Sequence, residues 1–89
     1  MKKSIYAIVD TKAETIIGGL HLFAHEAAAV RFFGDIASDA QTMVARHIGD
    51  HELLELGEID ETTGDIRPDS RVVITGAAWK AAQTSEDNS

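Results

Sequence analysis

The chain has 89 residues, a length that predicts a single domain with a thin core. Its composition, 44% apolar and 26% charged residues, is typical of globular proteins. Fifteen carboxylates against eight Lys and Arg give a net charge of -7, so bulk electrostatics repel phosphate and a nucleic-acid contact requires a local cluster of cations. The absence of cysteine excludes disulfides, thiolate metal sites and a cysteine nucleophile, and favours a reducing cytoplasm.

The first apolar segment, Ile5–Val9, predicts a short central strand. Asp10 ends it after five residues, too early for a signal peptide or a membrane span, so we expect a soluble protein. Thr15–Phe23 is rich in β-branched and apolar residues and predicts an extended segment, with a kink, turn or close backbone approach at Gly18 and Gly19.

A helical period begins at His25 and gives the clearest helix of the chain. Its apolar stripe contains Ala29, Val30, Phe33, Ile36, Ala37 and Ala40. Gly34 inside the helix costs about 1 kcal/mol relative to alanine, which suggests that another element packs closely there. Ser38-Asp39 can cap a second, shorter helix that runs to Arg46, turns Met43 and Val44 inward and ends at Gly49-Asp50.

The segment His51–Gly64 predicts one strand and the turn of a β-hairpin. Leu54 and Leu56 share one face by the period of two, while Leu53 and Ile59 fall on the other. Either a bulge at Gly57 re-aims Ile59, or both faces of this strand are partly covered.

The remaining segments have weaker patterns. Residues 65–67 could pair back, but Pro68 limits the return strand or confines it to an edge. Arg71–Thr75 predicts another strand, Gly76 ends it, and Ala77–Gln83 forms a short helical turn or a packed extension. We expect one α+β domain over residues 1–83 and a frayed polar tail over 84–89.

Together these segments predict an α+β fold, a small antiparallel sheet of three or four strands with one main helix packed on one face. The first strand and the strand at His51 are apolar on both faces, so the second face of the sheet also needs a cover. A homodimer, with or without exchanged elements, would provide one.

Motifs for catalysis are missing from the sequence. The seven glycines do not form a phosphate-binding loop and the serines lack a nucleophile elbow, so we expect no enzyme activity and no cofactor. His21 with His25 and His47 with His51 have a spacing that zinc could use, but both pairs span predicted element boundaries. Surface or capping histidines are the favoured interpretation, and we predict no metal.

Two sets of residues are candidates for binding. A fold could gather basic residues into a groove for single-stranded DNA with Tyr6 as a stacking platform, although scattered cations in an acidic chain ordinarily serve solubility. The candidates are Lys2, Lys3, Lys12, Arg31, Arg46, Arg67 and Arg71. Trp79 is the best anchor for a protein interface, with Leu53 and Ile59 beside it, but Trp79 could equally fill the core of a thin domain.

Three blocks resemble the small non-structural protein of gokushovirus-type microviruses, which are single-stranded DNA phages. The blocks are Val9–Glu14, Ala29–Asp35 and Asp50–Gly64, and the similarity covers about the first 66 residues. This family commonly has an aromatic residue where the chain has Met43-Val44, and a tyrosine near His51 that this chain lacks. The resemblance implies a viral accessory protein of the host cytoplasm, sometimes labelled DNA-binding, that acts in viral DNA synthesis or its hand-over to packaging.

Two functional hypotheses follow. In the first, a non-catalytic phage factor contacts single-stranded DNA through the basic groove. In the second, a dimeric adaptor uses the acidic hairpin to bind a viral replication protein, a scaffold protein or a host factor. The net charge favours the adaptor, the resemblance favours DNA, and a dispersed arrangement of the basic side chains would count against DNA.

Overall fold

A computed structural model describes the backbone of residues 1–87 and the side chains of residues 1–83. The elements in chain order are β1 (Lys2–Asp10), β2 (Thr15–Phe23), α1 (Glu26–Ala37), α2 (Met43–Arg46), a 3-10 turn (Ile48–Asp50), β3 (His51–Asp60), β4 (Ile66–Thr75) and α3 (Gly76–Asp87). The strands form one antiparallel sheet in the order β2-β1-β3-β4, with α1 packed on it. The predicted α+β fold and the central position of the first strand are confirmed.

The core lies between α1 and one face of the sheet, which we call the covered face. Its buried residues are Tyr6 and Ile8 of β1, Leu53 of β3, Ala29, Phe33 and Ala37 of α1, and Val44 of α2. Side chains of a strand alternate between the two faces, so Ile5, Ala7 and Val9 point to the opposite face. We call that second face the bare face, because α1 packs on the other side.

Helix α1 confirms most of the predicted apolar stripe. His25 has extended backbone angles and precedes the first turn, while the Ser38 N–H donates to the Gly34 carbonyl at 2.9 Å at the other end. Ala29, Phe33 and Ala37 are buried along one side. The predicted inclusion of Ala40 is wrong, because the helix ends at Ala37 and Ala40 is exposed.

The second helix is shorter than predicted. Thr42, rather than Ser38-Asp39, is its N-cap, and its side-chain oxygen accepts from the Ala45 N–H at 3.1 Å. Val44 is buried as predicted, but Met43 is 49% exposed. Adjacent residues of a helix point about 100° apart, so one four-residue turn places only one of them in the core.

A bulge in β3 settles the phase of the hairpin strand. Ile5 pairs with Gly57 and Tyr6 pairs with Glu55, which leaves Leu56 as an extra residue. Beyond the bulge, Ile59 pairs with Lys3 and therefore joins the bare face, as Leu54 does through its pairing with Ala7. The predicted re-aiming of Ile59 is confirmed.

Both outer strands are irregular. Between its pairs Tyr6–His21 and Ile8–Ile17, β2 has three residues opposite a single residue of β1. Strand β4 continues through Pro68 for ten residues, so the return strand is longer than predicted, although its edge position was expected. A side chain at Gly57 would collide with the Arg67 carbonyl oxygen, which explains why glycine is required where β3 meets β4.

The last helix, α3, is also longer than the short turn predicted from sequence. It begins at Gly76, where a side chain would collide with the Ile48 carbonyl oxygen, and it carries Trp79 against α1. A Cβ atom at Gly34 would lie 3.0 Å from Trp79 Nε1, so the close packing predicted at Gly34 is confirmed. The backbone of residues 84–87 continues α3, residues 88–89 lie outside the described part, and the frayed tail stays a prediction.

Candidate interaction surfaces

The basic side chains of the predicted DNA groove are spread over the molecule. Lys2 begins β1 and Lys12 lies in the turn past its other end, and the nine residues of the strand alone span roughly 27 Å. Arg31 projects from α1, and Arg46, at the end of α2, donates to the Gln41 carbonyl at 3.0 Å. Lys3 contacts Glu61 at 3.2 Å. These residues do not form one continuous basic groove.

Arg71 is held by two carboxylates on different elements. Its Nη2 bonds Glu26 of α1, and its Nε donates to Glu55 Oε1 of β3 at 2.8 Å. The hydrogen bonds to Glu26 and Glu55 raise the pKa of Arg71 above its ordinary value. Arg71 therefore fastens α1 to the covered face of the sheet, and its charge is already compensated.

Tyr6 lies in the core and not on the surface. Only 2% of it is exposed, and its ring is 6.0 Å from that of Phe23, centroid to centroid. Burial raises the pKa of its phenol. The ring offers no open face on which a base could stack, which removes the platform that the DNA hypothesis assigned to it.

The three residues predicted for a protein interface have three different environments. Leu53 is fully buried under α1, so its side chain has no surface for a partner. Trp79 is partly buried against Gly34. The buried part of its ring fills space in the core, as one of the two interpretations predicted, and the rest of the ring is exposed. Ile59 is partly buried on the bare face, where it pairs with Lys3 and Ile66.

The end of the β3–β4 hairpin carries a polar depression that we call the hairpin cleft. It consists of two adjoining hollows of about 330 and 110 Å³ that share Glu58 and Arg67. Their lining residues are Lys2, Ser4, Glu55, Gly57, Glu58, Asp60, Asp65, Arg67 and Asp69. Apart from Glu55, which binds Arg71, four carboxylates face two cations there, so the cleft is acidic on balance.

Strand pairing positions these groups. Glu58 lies between Ser4 of β1 and Arg67 of β4, and Lys2 pairs with Asp60. Asp60 Oδ1 accepts from the Thr62 N–H at 2.9 Å. Hydrogen bonds from the backbone of the turn, with the amino terminus and Lys2 nearby, lower the pKa of Asp60 and keep it charged at neutral pH.

The bare face carries apolar side chains that are open to water. Five of these side chains are between 42% and 58% exposed: Ile16, Leu20 and Leu22 of β2, and Ile66 and Val72 of β4. The sequence predicted that this face needs a cover but did not assign the β2 residues to it. The signal was the alternation after the two glycines, where Leu20 and Leu22 fall on one side and His21 and Phe23 on the other.

Two of the histidines, His51 and His21, make contacts within the protein. His51 is 2% exposed, its Nδ1 donates to the His47 carbonyl at 2.8 Å, and its Nε2 lies 3.9 Å from Asp10 Oδ2. The His21 ring lies 4.5 Å from that of Phe32, centroid to centroid. Among residues 1–83, whose side chains the structure describes, no cluster of three or more His, Cys, Asp or Glu has an arrangement that could hold a metal ion.

The protein is a small α+β fold with a polar hairpin cleft and an apolar bare face. The sequence identifies the family: residues 3–79 match the family model described as Phage ORF5 protein, and the chain belongs to that family of phage proteins. No curated protein and no solved structure gives a match. Over residues 1–87, the helices are too short or too polar to span a membrane.

Proposed function

We propose that this phage accessory protein is a non-catalytic adaptor of the host cytoplasm that acts in viral single-stranded DNA synthesis or its hand-over to packaging. It would do so by binding a partner protein through the hairpin cleft. The observation that carries the proposal is the concentration of Glu58, Asp60, Asp65 and Asp69 around Lys2 and Arg67 at the end of the hairpin.

The chemistry of the cleft favours a positively charged segment of a partner. Its carboxylates can accept hydrogen bonds from Lys or Arg side chains, which bind carboxylates through charge-assisted bonds. Proteins that replicate or package DNA carry basic segments that contact phosphates, and such a segment of a viral replication or scaffold protein would suit the cleft. The assignment to microviruses, and with it to single-stranded DNA, rests on the three blocks of sequence resemblance.

Direct contact with single-stranded DNA is the second candidate. Lys2 and Arg67 share the hairpin cleft, so each could contact one phosphate of a strand that lies there. Neutralising two phosphates of a single strand predicts a slope of about -1.4 for log affinity against log salt. The four surrounding carboxylates oppose that contact, which is why the adaptor is preferred.

Fluorescence anisotropy tests the proposal with two labelled probes, each measured at roughly 50 and 200 mM salt. One probe is a short oligo-arginine peptide and the other is a ~30-nucleotide single strand. Glu58→Gln/Asp69→Asn removes two carboxylates of the cleft. We expect it to weaken the peptide complex about fivefold. Glu14→Gln/Asp35→Asn removes the same charge from exposed sites elsewhere, and we expect a change of less than about twofold.

The two arms distinguish the candidates. Equal weakening by the cleft pair and the control pair would show that the peptide responds only to net charge, and would refute the cleft. Micromolar binding of the single strand that is steeply salt-dependent and lost in Lys2→Gln/Arg67→Gln would replace the adaptor with the DNA-binding function.

A further inference from the structure

We propose that the bare face of the sheet binds a second copy of this chain, with the strands of the two sheets antiparallel across a two-fold axis. The inference is independent of the hairpin cleft. The cleft is built on the covered-face side of β1, from Lys2 and Ser4, whereas the bare face is built on the alternate residues.

The composition of the bare face is that of an interior. Pairing register assigns it the following residues: Ile5, Ala7 and Val9 of β1; Ile16 and Leu22 of β2; Leu54 and Ile59 of β3; Ile66 and Val72 of β4. Leu20 lies in the unpaired part of β2, and alternation places it on the same side as Leu22. Ile5 and Ala7 at the centre are buried by their neighbours, whereas exposure is highest on the two outer strands. A sheet that is apolar on both faces becomes more stable in water when the second face is packed as well.

The area is of the size that a dimer uses. Five large side chains about half exposed leave on the order of 400 Å² of apolar surface in water, which is within the range of the largest patch on a typical monomer. A standard interface removes roughly 800 Å² from each partner. The partly buried Val9, Leu54 and Ile59, together with the polar rim, supply the remainder.

The rim charges select the orientation of the second copy. Lys3 pairs with Ile59 at the hairpin end of the bare face, and Glu52 pairs with Val9 at the opposite end. A two-fold axis that crosses the strands near Ala7 brings Lys3 of each copy toward Glu52 of the other. An axis along the strands would instead place Lys3 near Lys3 and Glu52 near Glu52, which costs energy.

Other occupants fit this face less well. A nucleic acid would need several cations, and Lys3 is the basic residue assigned to this face by pairing, already in contact with Glu61. An anionic membrane surface would repel a chain of net charge -7. A second copy brings an identical apolar surface and complementary rim charges, which makes the interface isologous.

The first experiment is sedimentation velocity of the full chain over a range of micromolar concentrations. We expect a species of twice the 9.6 kDa chain mass that dissociates on dilution. Leu20→Glu places a charge on the bare face at a side chain already 58% exposed, and we expect the dissociation constant to rise at least about 100-fold. Met43→Glu is the matched control, because Met43 is 49% exposed on α2 and its variant should dimerise like the wild type.

Circular dichroism of both variants verifies that the fold persists. A wild-type chain that stays monomeric at the highest concentration would overturn the proposal. Equal dissociation by Leu20→Glu and Met43→Glu would also overturn it, since the added charge alone would then explain the effect. Binding of this face to a different partner, with the chain itself monomeric, would be a third contrary result.

Charge reversal tests the orientation. Lys3→Glu and Glu52→Lys should each raise the dissociation constant about tenfold, because each replaces attraction at both rims by repulsion. An equimolar mixture of the two variants should restore dimerisation, since each rim of the heterodimer then pairs a carboxylate with a lysine. Single reversals without effect would overturn the antiparallel arrangement.

Discussion

The two faces of the sheet are both apolar, but they differ in the kind of side chain. The five aromatic residues, Tyr6, Phe23, Phe32, Phe33 and Trp79, all belong to the covered-face core or pack against it. The bare face contains aliphatic side chains and one alanine at its centre. Aromatic side chains bury the largest area and order themselves by ring packing, so they indicate the face that the chain covers by itself. In the proposed dimer, the purely aliphatic face is the one that a second copy covers.

The largest expected effect is the difference in the free energy of unfolding lost when a side chain of each face is replaced by alanine. Phe33→Ala creates a cavity in the fully buried core and should lower the free energy of unfolding by about 4 kcal/mol. Leu20→Ala should change it by less than about 0.5 kcal/mol at protein concentrations where the chain is monomeric, because Leu20 is 58% exposed there. Urea unfolding measures both, and similar losses would contradict the distinction between the faces.

A second, smaller effect concerns the bulge in β3, which determines which residues of the strand point to each face of the sheet. Gly57 has φ of +151° and lies against the Arg67 backbone, so Gly57→Ala should cost about 2–4 kcal/mol. Gly64→Ala is the control, since Gly64 also has positive φ but has open space around it, and should cost about 1 kcal/mol. Thermal unfolding compares the two variants, and an equal shift would show that the contact between β3 and β4 is not tight.

The smallest effect is a pH dependence at the end of β1. Hydrogen bonds from the Ala13 and Lys12 N–H groups, both 3.0 Å long, and the nearby His51 lower the pKa of Asp10. A carboxyl whose pKa is lower in the folded state stabilises the fold above its unfolded pKa of about 3.9, and that contribution disappears as pH falls through the folded pKa. Asp10→Asn should therefore be less stable than the wild type at pH 6, and the difference should shrink as the pH falls through the folded-state pKa of Asp10. A difference independent of pH would exclude the charge as its cause.

The sequence predicted those features that depend on local periodicity. The stripe Ala29, Phe33 and Ala37 fixed α1, and Gly34 indicated the contact that Trp79 makes. The turn after Asp60 and the bulge at Gly57 were also predicted from sequence, because glycine and turn-forming residues inside or next to a strand ordinarily mark a bulge or a turn.

The features that sequence did not predict depend on partners distant in the chain. Pro68 suggested two short segments, but β4 is an edge strand and continues through Pro68, which pairs with Gly57. The position of Arg71 between Glu26 and Glu55 arises only after α1 and β4 meet on one face. The same holds for the basic groove, because periodicity does not say whether cations from four elements and one turn converge, and here they do not.

The irregular outer strands have a consequence for how copies can assemble. Regular edge strands add further strands without limit, which leads to open-ended fibres. Here β2 has three residues, Gly18–Leu20, opposite one residue of β1, and β4 contains Pro68, which lacks an N–H donor, so neither edge presents an uninterrupted template. Association through the bare face consumes that face in a single step, and the assembly closes at a finite size.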